Sequence, residues 1–238
     1  MTDLDPGSID LEIGTPAGTL GRRLTAEFVG TALLVAVVVG SGIFAERLST
    51  DRGLQLLANS IATGAALVAL ILAFGGVSGA RFNPVVTLAG VLDGDVDARH
   101  GTAEVTAQTL GGILGAVVAN LMFDLPAVTW STHTRSSPPL WLAEVVATFG
   151  LLTVIFGVVR SRRADLVAFA VGGYIAAAYW FTSSTSFANP AATVARMFSD
   201  TFAGIRPSSA PAFIAAQLLG AIAAIVLDRY LHPRRHQP

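Results

Sequence analysis

Residues 78–87 read SGARFNPVVT and interrupt an otherwise apolar part of the chain with an asparagine and a proline. The Asn-Pro pair at residue 83 recurs at residue 189, again between long apolar segments. Lipid offers no partner to an unpaired backbone N–H or C=O. A break of this kind is therefore tolerated at membrane depth only where protein buries it or where it lines a wet cavity. Two such breaks in one chain predict a permeation path.

The two halves of the chain also match outside these breaks. The Ala-Glu pair ending at Glu27 recurs at Glu144, and the Ala-Gln pair ending at Gln108 recurs at Gln217. The copies lie 117 and 109 residues apart, and the two Asn-Pro pairs lie 106 residues apart. Three signals in the same order at nearly the same spacing predict an internal repeat.

The composition is that of a membrane protein. Of the 238 residues, 53% are hydrophobic and only 13% are charged, with a mean hydropathy of +0.63. The net charge of −1 argues against a nucleic-acid partner, and the absence of cysteine excludes disulfides and thiolate chemistry. The sequence shows no catalytic triad and no metal cluster with catalytic spacing, so we expect no enzymatic activity, no cofactor and no metal.

Six segments are long and apolar enough to cross a bilayer, each about 17–22 residues long. They cover residues 24–44, 54–74, 103–123, 140–159, 165–181 and 211–227. Two stretches that follow the Asn-Pro pairs, 83–92 and 189–198, are too short to span and suit re-entrant half-helices. The predicted fold is an all-α membrane protein with six transmembrane helices and two half-helices in an inverted repeat. It occupies residues 22–231, with repeats over 22–124 and 139–231 and cytosolic tails at 1–21 and 232–238.

Arginine placement predicts the orientation, because positive residues favour the cytoplasmic side. Arg81, Arg196 and Arg206 lie in or beside the re-entrant loops and are left out of the count. Of the other arginines, the segments on the side of the termini hold nine and the opposite segments hold three. Both termini are therefore expected in the cytoplasm, with the protein in the plasma (inner) membrane. The polar, acidic N-terminus has no basic stretch before an apolar run, so we expect no cleaved signal peptide.

Each Asn-Pro pair has the chemistry of a helix start. Proline suits the first turn, where its missing N–H costs nothing, and the preceding asparagine can cap the helix with its side-chain oxygen. The NH₂ donors would then face the pore. The positive helix ends would point at its centre and oppose cations and protons. The alternative is a pair of loop-stabilising Asx turns in an ordinary helical bundle.

The segment around the first Asn-Pro pair resembles the first signature of the major intrinsic proteins, the aquaporins and aquaglyceroporins, and the second pair resembles their second signature. The resemblance covers about residues 22 to 230. It implies six tilted spans, half-helices that meet at the midplane, and a homotetramer in membrane lipid with one pore per subunit. The expected ligands are water and small neutral solutes. The implied pore motif comprises Asn83, Pro84, Val85, Asn189, Pro190 and Ala191.

Glu27 and Glu144 place carboxylates inside apolar spans, where an acid is a candidate for function such as a proton relay. The family resemblance implies a different role, because equivalent acids there accept hydrogen bonds from the re-entrant loops and hold them in place. Gln108 and Gln217 are expected to support the same loops.

The predicted selectivity filter departs from the family pattern. Most members have an arginine directly after the second signature, where this chain has Ala192. Counting from the signatures places the filter at Thr63, Ala177, Ser186 and Ala192. Because all four side chains are small, the filter should be wider and less cationic than a strict water pore. Residues 189–196, NPAATVAR, resemble bacterial aquaporins linked to arsenite passage, so we expect glycerol-like solutes and arsenite or antimonite to pass.

The sequence allows two roles for each of two arginines. Arg196 lies one helical turn after Ala192 and either reaches back into the pore mouth or pairs at the surface with Asp200 or lipid phosphate. Arg81 either forms a cationic inner constriction or anchors its loop. Both are candidate pore-mouth charges.

The sequence has features of three other kinds of protein or site, namely a calcium loop, a secondary transporter and a membrane enzyme. Residues 93–104 match the acidic positions of a calcium loop, but Ala98 replaces the glycine of the sharp turn, so a solvated acidic loop is expected instead. A secondary transporter also uses inverted repeats and broken helices, but it normally needs an ion-coupling site. A membrane enzyme would need a nucleophile and a base, and the sequence shows no such set.

Overall fold

The computed structural model describes residues 18–233, and this part of the chain is built from helices and connecting loops. Six long helices are apolar enough to cross a membrane. They are α1 (Leu20–Leu48), α2 (Arg52–Ser78), α4 (Ala98–Met122), α5 (Pro138–Arg160), α6 (Val167–Phe181) and α8 (Ala210–Leu231). Short 3-10 turns, Ala164–Leu166 and Pro207–Ser209, lead into α6 and α8.

Two short helices follow the Asn-Pro pairs, as predicted. Helix α3 covers Pro84–Asp93, and α7 covers Pro190–Ala195 and continues as a 3-10 turn over Arg196–Phe198. The predicted fold class, with six long helices and two half-helices, is confirmed. Residues 1–17 and 234–238, which include most of both predicted tails, lie outside the described residues.

The helices pack as two matching halves. Helix α1 packs mainly against α4, and α5 packs mainly against α8, while α2 and α6 join the halves. At the α1–α4 crossing, a Cβ added to Gly111 would lie 2.2 Å from the Phe28 carbonyl oxygen. At the α5–α8 crossing, a Cβ on Gly220 would lie 2.4 Å from the Val145 carbonyl oxygen. Glycine at these crossings lets the helix backbones touch, as small residues do in membrane bundles.

A similar contact joins α2 to α6 between the halves. A Cβ on Gly64 would lie 2.8 Å from the Gly172 carbonyl oxygen, and one on Gly172 would lie 2.6 Å from the Gly64 carbonyl oxygen. The adjacent Gly173 has nothing within 4 Å of such an atom. Close approach is thus the role of Gly172, whereas Gly173 lies on an open face.

Two acidic residues of the predicted acidic loop have structural roles at the start of α4. The Asp97 carboxylate caps α4 by accepting hydrogen bonds from the backbone N–H groups of Arg99 and His100. Glu104 is fully buried and forms ion pairs with Arg23 at 2.8 Å and Arg81 at 3.1 Å. Because the Glu104 carboxylate is paired with these two arginines, it is not placed as the last ligand of a calcium loop.

Candidate functional site

A cavity of about 420 Å³ runs along the centre of the bundle between the two sets of helices. Both Asn83 and Asn189 line it. It reaches Arg160 and Asp165 at the face where α1 begins and α8 ends, which we call the terminal face, and Arg196 towards the opposite face. The two chain breaks singled out by the sequence therefore meet in one elongated cavity.

Each asparagine caps its half-helix. The Asn83 Oδ1 accepts a hydrogen bond from the Val85 N–H at 3.1 Å. The Asn189 Oδ1 accepts two, from the N–H groups of Ala191 and Ala192. In both helices a proline follows at the first helical position, where no N–H is needed.

The asparagine amides also tie the two loops to each other. The Asn83 Nδ2 donates to the Ala188 carbonyl oxygen, and the Asn189 Nδ2 donates to the Phe82 carbonyl oxygen, each at 2.8 Å. The expectation that the whole NH₂ group faces the pore therefore needs correction. One N–H of each amide holds the opposite loop, and the other remains for the cavity.

A buried carboxylate holds each loop from behind. Glu144 accepts hydrogen bonds from the N–H groups of Phe187 and Ala188, both at 2.9 Å. Its Oε2 also accepts one from the Gln217 Nε2 at 2.7 Å. Since these donors satisfy both oxygens of a fully buried side chain, Glu144 has the surroundings of a structural anchor.

The first half repeats this arrangement around Glu27. This carboxylate accepts from the N–H groups of Arg81 and Phe82 and from the Gln108 Nε2. It also accepts a hydrogen bond from the Ser78 hydroxyl at 2.6 Å. The four residues predicted to support the loops are thus brought to the loops in two matching clusters.

Sequence reasoning missed two threonines that complete these clusters. Thr87 accepts a hydrogen bond from the Gln108 Nε2, and Thr193 accepts one from the Gln217 Nε2, each at 2.9 Å. Each threonine lies four residues after its asparagine, in NPVVT and in NPAAT. Extending the comparison of the two motifs by two positions would have found the pair.

The loops have unusual backbone conformations at matching positions. Ala80 and Phe82 in the first loop have φ values of 47° and 49°, and Ser186 and Ala188 in the second have 51° and 46°. Non-glycine residues rarely adopt this left-handed region, and where they do the surrounding structure must hold them there. The glutamate clusters supply that restraint, and the resulting turns direct the carbonyl oxygens of Phe82 and Ala188 at the opposite asparagine.

On the side of the loops facing away from the terminal face, the cavity wall includes two hydroxyl side chains in contact. The Thr63 hydroxyl lies 3.1 Å from the Tyr179 hydroxyl, and both residues are buried and line the cavity. The predicted filter position Ala177 is exposed on the outside of α6 and is not part of the lining. The cavity-facing side of α6 runs through Val171, Ile175 and Tyr179 at four-residue spacing, so Tyr179 takes the place predicted for Ala177.

The other two predicted filter residues do line the cavity. Ala192 contributes only a methyl group, and Ser186 is buried with a hydroxyl that has no hydrogen-bond partner among the described residues. Because this hydroxyl oxygen is itself buried, Ser186 does not present it to a solute in the cavity.

Arg196 lies in the wall of the cavity, which decides between the two roles left open by the sequence. It is 3% exposed, its Nε donates to the Ala203 carbonyl oxygen, and its guanidinium carbon lies 3.3 Å from the centre of the Phe187 ring. The surface role with Asp200 is wrong. The Asp200 carboxylate accepts hydrogen bonds from the backbone N–H and hydroxyl of Thr132, which hold its pKa below the ordinary value.

Arg81 also lines the cavity, on the side of the terminal face, but its guanidinium is held by protein groups. The Nη1 donates to the Ser78 carbonyl oxygen at 3.0 Å and to the Glu104 carboxylate at 3.1 Å. Its charge is therefore paired, and the geometry fits loop anchoring better than a free cationic constriction.

The comparison with protein families agrees with this geometry. A family model described as major intrinsic protein matches residues 17–179, which is more than half of the chain. The chain belongs to the major intrinsic protein family. Its relatives include Aquaglyceroporin AqpS from Rhizobium meliloti (strain 1021), which is 52% identical over 212 residues, 89% of this chain and 91% of the relative. Probable aquaporin AqpM from Archaeoglobus fulgidus is 29% identical over 90% of this chain and 98% of the relative.

A solved structure shows the same fold for this major intrinsic protein. The X-ray structure of the aquaglyceroporin from Plasmodium falciparum superimposes with a TM-score of 0.73, covering 91% of this chain and 97% of that one, at 19% identity. At that identity the likeness carries the fold alone. Membership of the family makes this major intrinsic protein an integral membrane channel for water and small solutes, and not an enzyme.

Proposed function

We propose that the channel conducts small neutral solutes that carry several hydroxyl groups, such as glycerol and arsenous or antimonous acid, together with water. The observation that carries the proposal is Ala192, a methyl group in the cavity wall at the position where a strict water pore has a large cationic side chain. The name of the 52% identical relative, Aquaglyceroporin AqpS, supports the same solute class.

The chemistry of the wall suits this solute class. Much of the lining is apolar. Polar side chains line the cavity at both ends and at its centre, and the hydroxyl groups of Thr63 and Tyr179 lie on the side away from the terminal face. A neutral solute entering such a wall gives up hydration but carries no ionic desolvation penalty, and the hydroxyls replace part of its lost hydrogen bonding. Arsenous acid is uncharged at neutral pH, so the same reasoning includes it.

Passive flow is proposed because the central acids are already engaged. A coupled transporter needs a group that binds and releases an ion or a proton during each cycle. Glu27 and Glu144 accept several hydrogen bonds each from loop and helix donors, so every carboxylate oxygen already holds part of the structure in place.

The proposed assembly and orientation follow from the family and from the arginine distribution. We place the protein as a homotetramer in the inner membrane, with one pore per subunit and both termini in the cytoplasm. The excess of arginines on the side of the termini supports this orientation.

The test is stopped-flow light scattering on proteoliposomes that contain the purified channel. Water permeability is measured in a sucrose gradient, and solute entry is measured with glycerol and with arsenous acid against empty liposomes. We expect water and both solutes to enter faster than in the control. Water flow without either solute would contradict the proposed solute class and leave the channel function in place.

A substitution at Ala192 tests the width of the filter. Ala192→Arg is expected to cut glycerol flux by about tenfold while reducing water flux less, because a long side chain narrows the wall and water is the smaller permeant. Ala192→Val enlarges the residue without charge and serves as the matched control. An unchanged ratio of glycerol to water flux in folded Ala192→Arg would show that residue 192 does not set the width.

The two asparagines are proposed as pore donors as well as loop ties. Replacing both with aspartate removes every side-chain N–H and places carboxylates opposite the carbonyl oxygens of Phe82 and Ala188. Each lost tie to a buried carbonyl is worth about 1–3 kcal/mol. We expect the Asn83→Asp/Asn189→Asp protein to lose conduction or to fail to fold. Wild-type glycerol flux in a well-folded double variant would refute the assignment.

A further inference from the structure

We propose that Arg196 supplies the selectivity-determining cation of this channel from a position one helical turn beyond Ala192. The residue lies after the end of α7, and its side chain lines the cavity near the Thr63–Tyr179 pair. The proposal rests on the established channel activity. It uses the proposed glycerol permeability for one readout only.

The position of the guanidinium is fixed from two directions. Its Nε donates to the Ala203 carbonyl oxygen, which follows the turn at the end of the second half-helix segment. Its flat face stacks on the Phe187 ring at 3.3 Å from the ring centre. Phe187 is itself held by the hydrogen bond from its N–H to Glu144. The loop anchor therefore also sets the place of this arginine, because the ring that it stacks on cannot move independently.

The remaining donors of Arg196 are available to the cavity. Between residues 18 and 233, neither Nη atom has a protein hydrogen-bond acceptor, although the residue is 3% exposed. A solute with two oxygens can therefore accept hydrogen bonds from both Nη groups of the guanidinium in one step.

Arg196 has no carboxylate in direct contact among the described residues, although Glu144 lies near enough to act on it electrostatically. In the described part of the chain, no carboxylate forms an ion pair with this residue, in contrast to Arg81, Arg23 and Arg160. The nearest other cation is Arg135, whose guanidinium carbon lies 5.1 Å from the same Phe187 ring centre. A positive charge in a low-dielectric wall repels cations and protons strongly. Arg196 thus supplies the positive charge against cations and protons that Ala192 cannot supply. The small methyl group of Ala192 leaves the cavity wide at the neighbouring position.

This arrangement separates two tasks that a single arginine at residue 192 would combine. Charge exclusion falls to Arg196, and cross-section is set by Ala192, Thr63 and Tyr179. The channel can then be wide enough for a polyhydroxylated solute and still reject protons.

The test compares Arg196→Gln with Arg206→Gln in proteoliposomes. Arg206 is an exposed arginine at the same face and is the matched control for loss of one positive charge. Water permeability, glycerol permeability and proton leak, the last from an entrapped pH-sensitive dye, are measured on each variant. Proton leak does not depend on glycerol passage, so it tests Arg196 even if the solute proposal fails.

We expect Arg196→Gln to raise proton leak per channel about tenfold or more, since it removes a full charge from a weakly screened site. Arg206→Gln should match the wild type. The exchange variant Ala192→Arg/Arg196→Gln should restore proton exclusion and lower glycerol flux. The positive charge then lies at residue 192, which also sets the width of the cavity. A folded Arg196→Gln protein with wild-type proton exclusion and an unchanged ratio of glycerol to water flux overturns the proposal.

A second variant covers the case in which Arg196→Gln does not fold. Arg196→Lys keeps the charge but has no flat face for Phe187 and no pair of parallel donors. We expect proton exclusion to persist and the ratio of glycerol to water flux to change by about threefold or more, as for the loss of one hydrogen bond. Wild-type ratios in Arg196→Lys would overturn the assignment of the guanidinium as a solute-binding group.

Discussion

Glu144→Gln is expected to destabilise the protein by about 3 kcal/mol or more, because it turns a buried acceptor into a donor that faces other donors. The Glu144 Oε2 accepts from both Ala188 and Gln217, and the Oε1 accepts from Phe187. Glutamine has one oxygen and one NH₂ group in the same space, so at least one of these N–H groups loses its partner. The second loop also loses the restraint on its left-handed residues.

The measurement is the temperature at which half of the detergent-solubilised protein remains monodisperse in size-exclusion chromatography. Glu46→Gln is the matched control, since Glu46 is exposed, accepts one backbone hydrogen bond from Phe202 and forms only a surface ion pair with Arg52 at 3.6 Å. The control should shift the midpoint little, as expected of an exposed charge. Unchanged stability in Glu144→Gln, together with loss of a proton-coupled uptake, would show that this acid belongs to a relay and not to the loop support.

Gly115→Ala is expected to have a comparable effect on the first half of the fold. A Cβ at residue 115 would lie 2.1 Å from the Ala32 carbonyl oxygen of α1. The obstacle is backbone, so the two helices must separate along a crossing that carries the most extensive helix packing in the described structure. Overpacking of this kind costs about 1–3 kcal/mol and more where no side chain can yield.

The second half supplies an internal comparison for this prediction. The residue of α8 that matches Gly115, at the same offset of 109, is Ala224, which is buried in the α5–α8 packing. That crossing accommodates a methyl group, and the α1–α4 crossing does not. Gly157→Ala serves as the control, because a Cβ there would meet nothing within 4 Å. Equal midpoints for Gly115→Ala and Gly157→Ala would contradict the packing account.

The architecture could be predicted from sequence because its causes are local and repeated. Bilayer thickness sets the length of the spans, and lipid forbids an unpaired backbone. The Asn-Pro pairs therefore had to mark helix starts in a protected cavity, and the structure has helices beginning at Pro84 and Pro190. The supporting glutamates and glutamines could be identified because they are polar residues that recur at matching positions in apolar spans.

The detail of the filter could not be predicted in the same way. Counting from the signature to Ala177 assumed a fixed length for the loop after α6, whereas the cavity-facing side of the helix runs through Tyr179. A shift of two residues turns a helical position by about 200°, from the inside to the outside of the bundle. The place of Arg196 depended on Phe187 and on the Ala203 carbonyl, which are tertiary neighbours that no local pattern reveals.

The reciprocal asparagine ties also have a consequence for biosynthesis. The Asn83 amide meets a carbonyl 105 residues later in the chain, and the Asn189 amide meets one 107 residues earlier. When the first three spans have left the ribosome, the partner of Asn83 has not yet been translated. The Glu27 cluster lies wholly in the first half and can already hold the first loop, but the Asn83 amide has no carbonyl partner until the second loop follows. Completion of the pore centre is a late event in membrane insertion, and a chain truncated before residue 188 has no means of forming it.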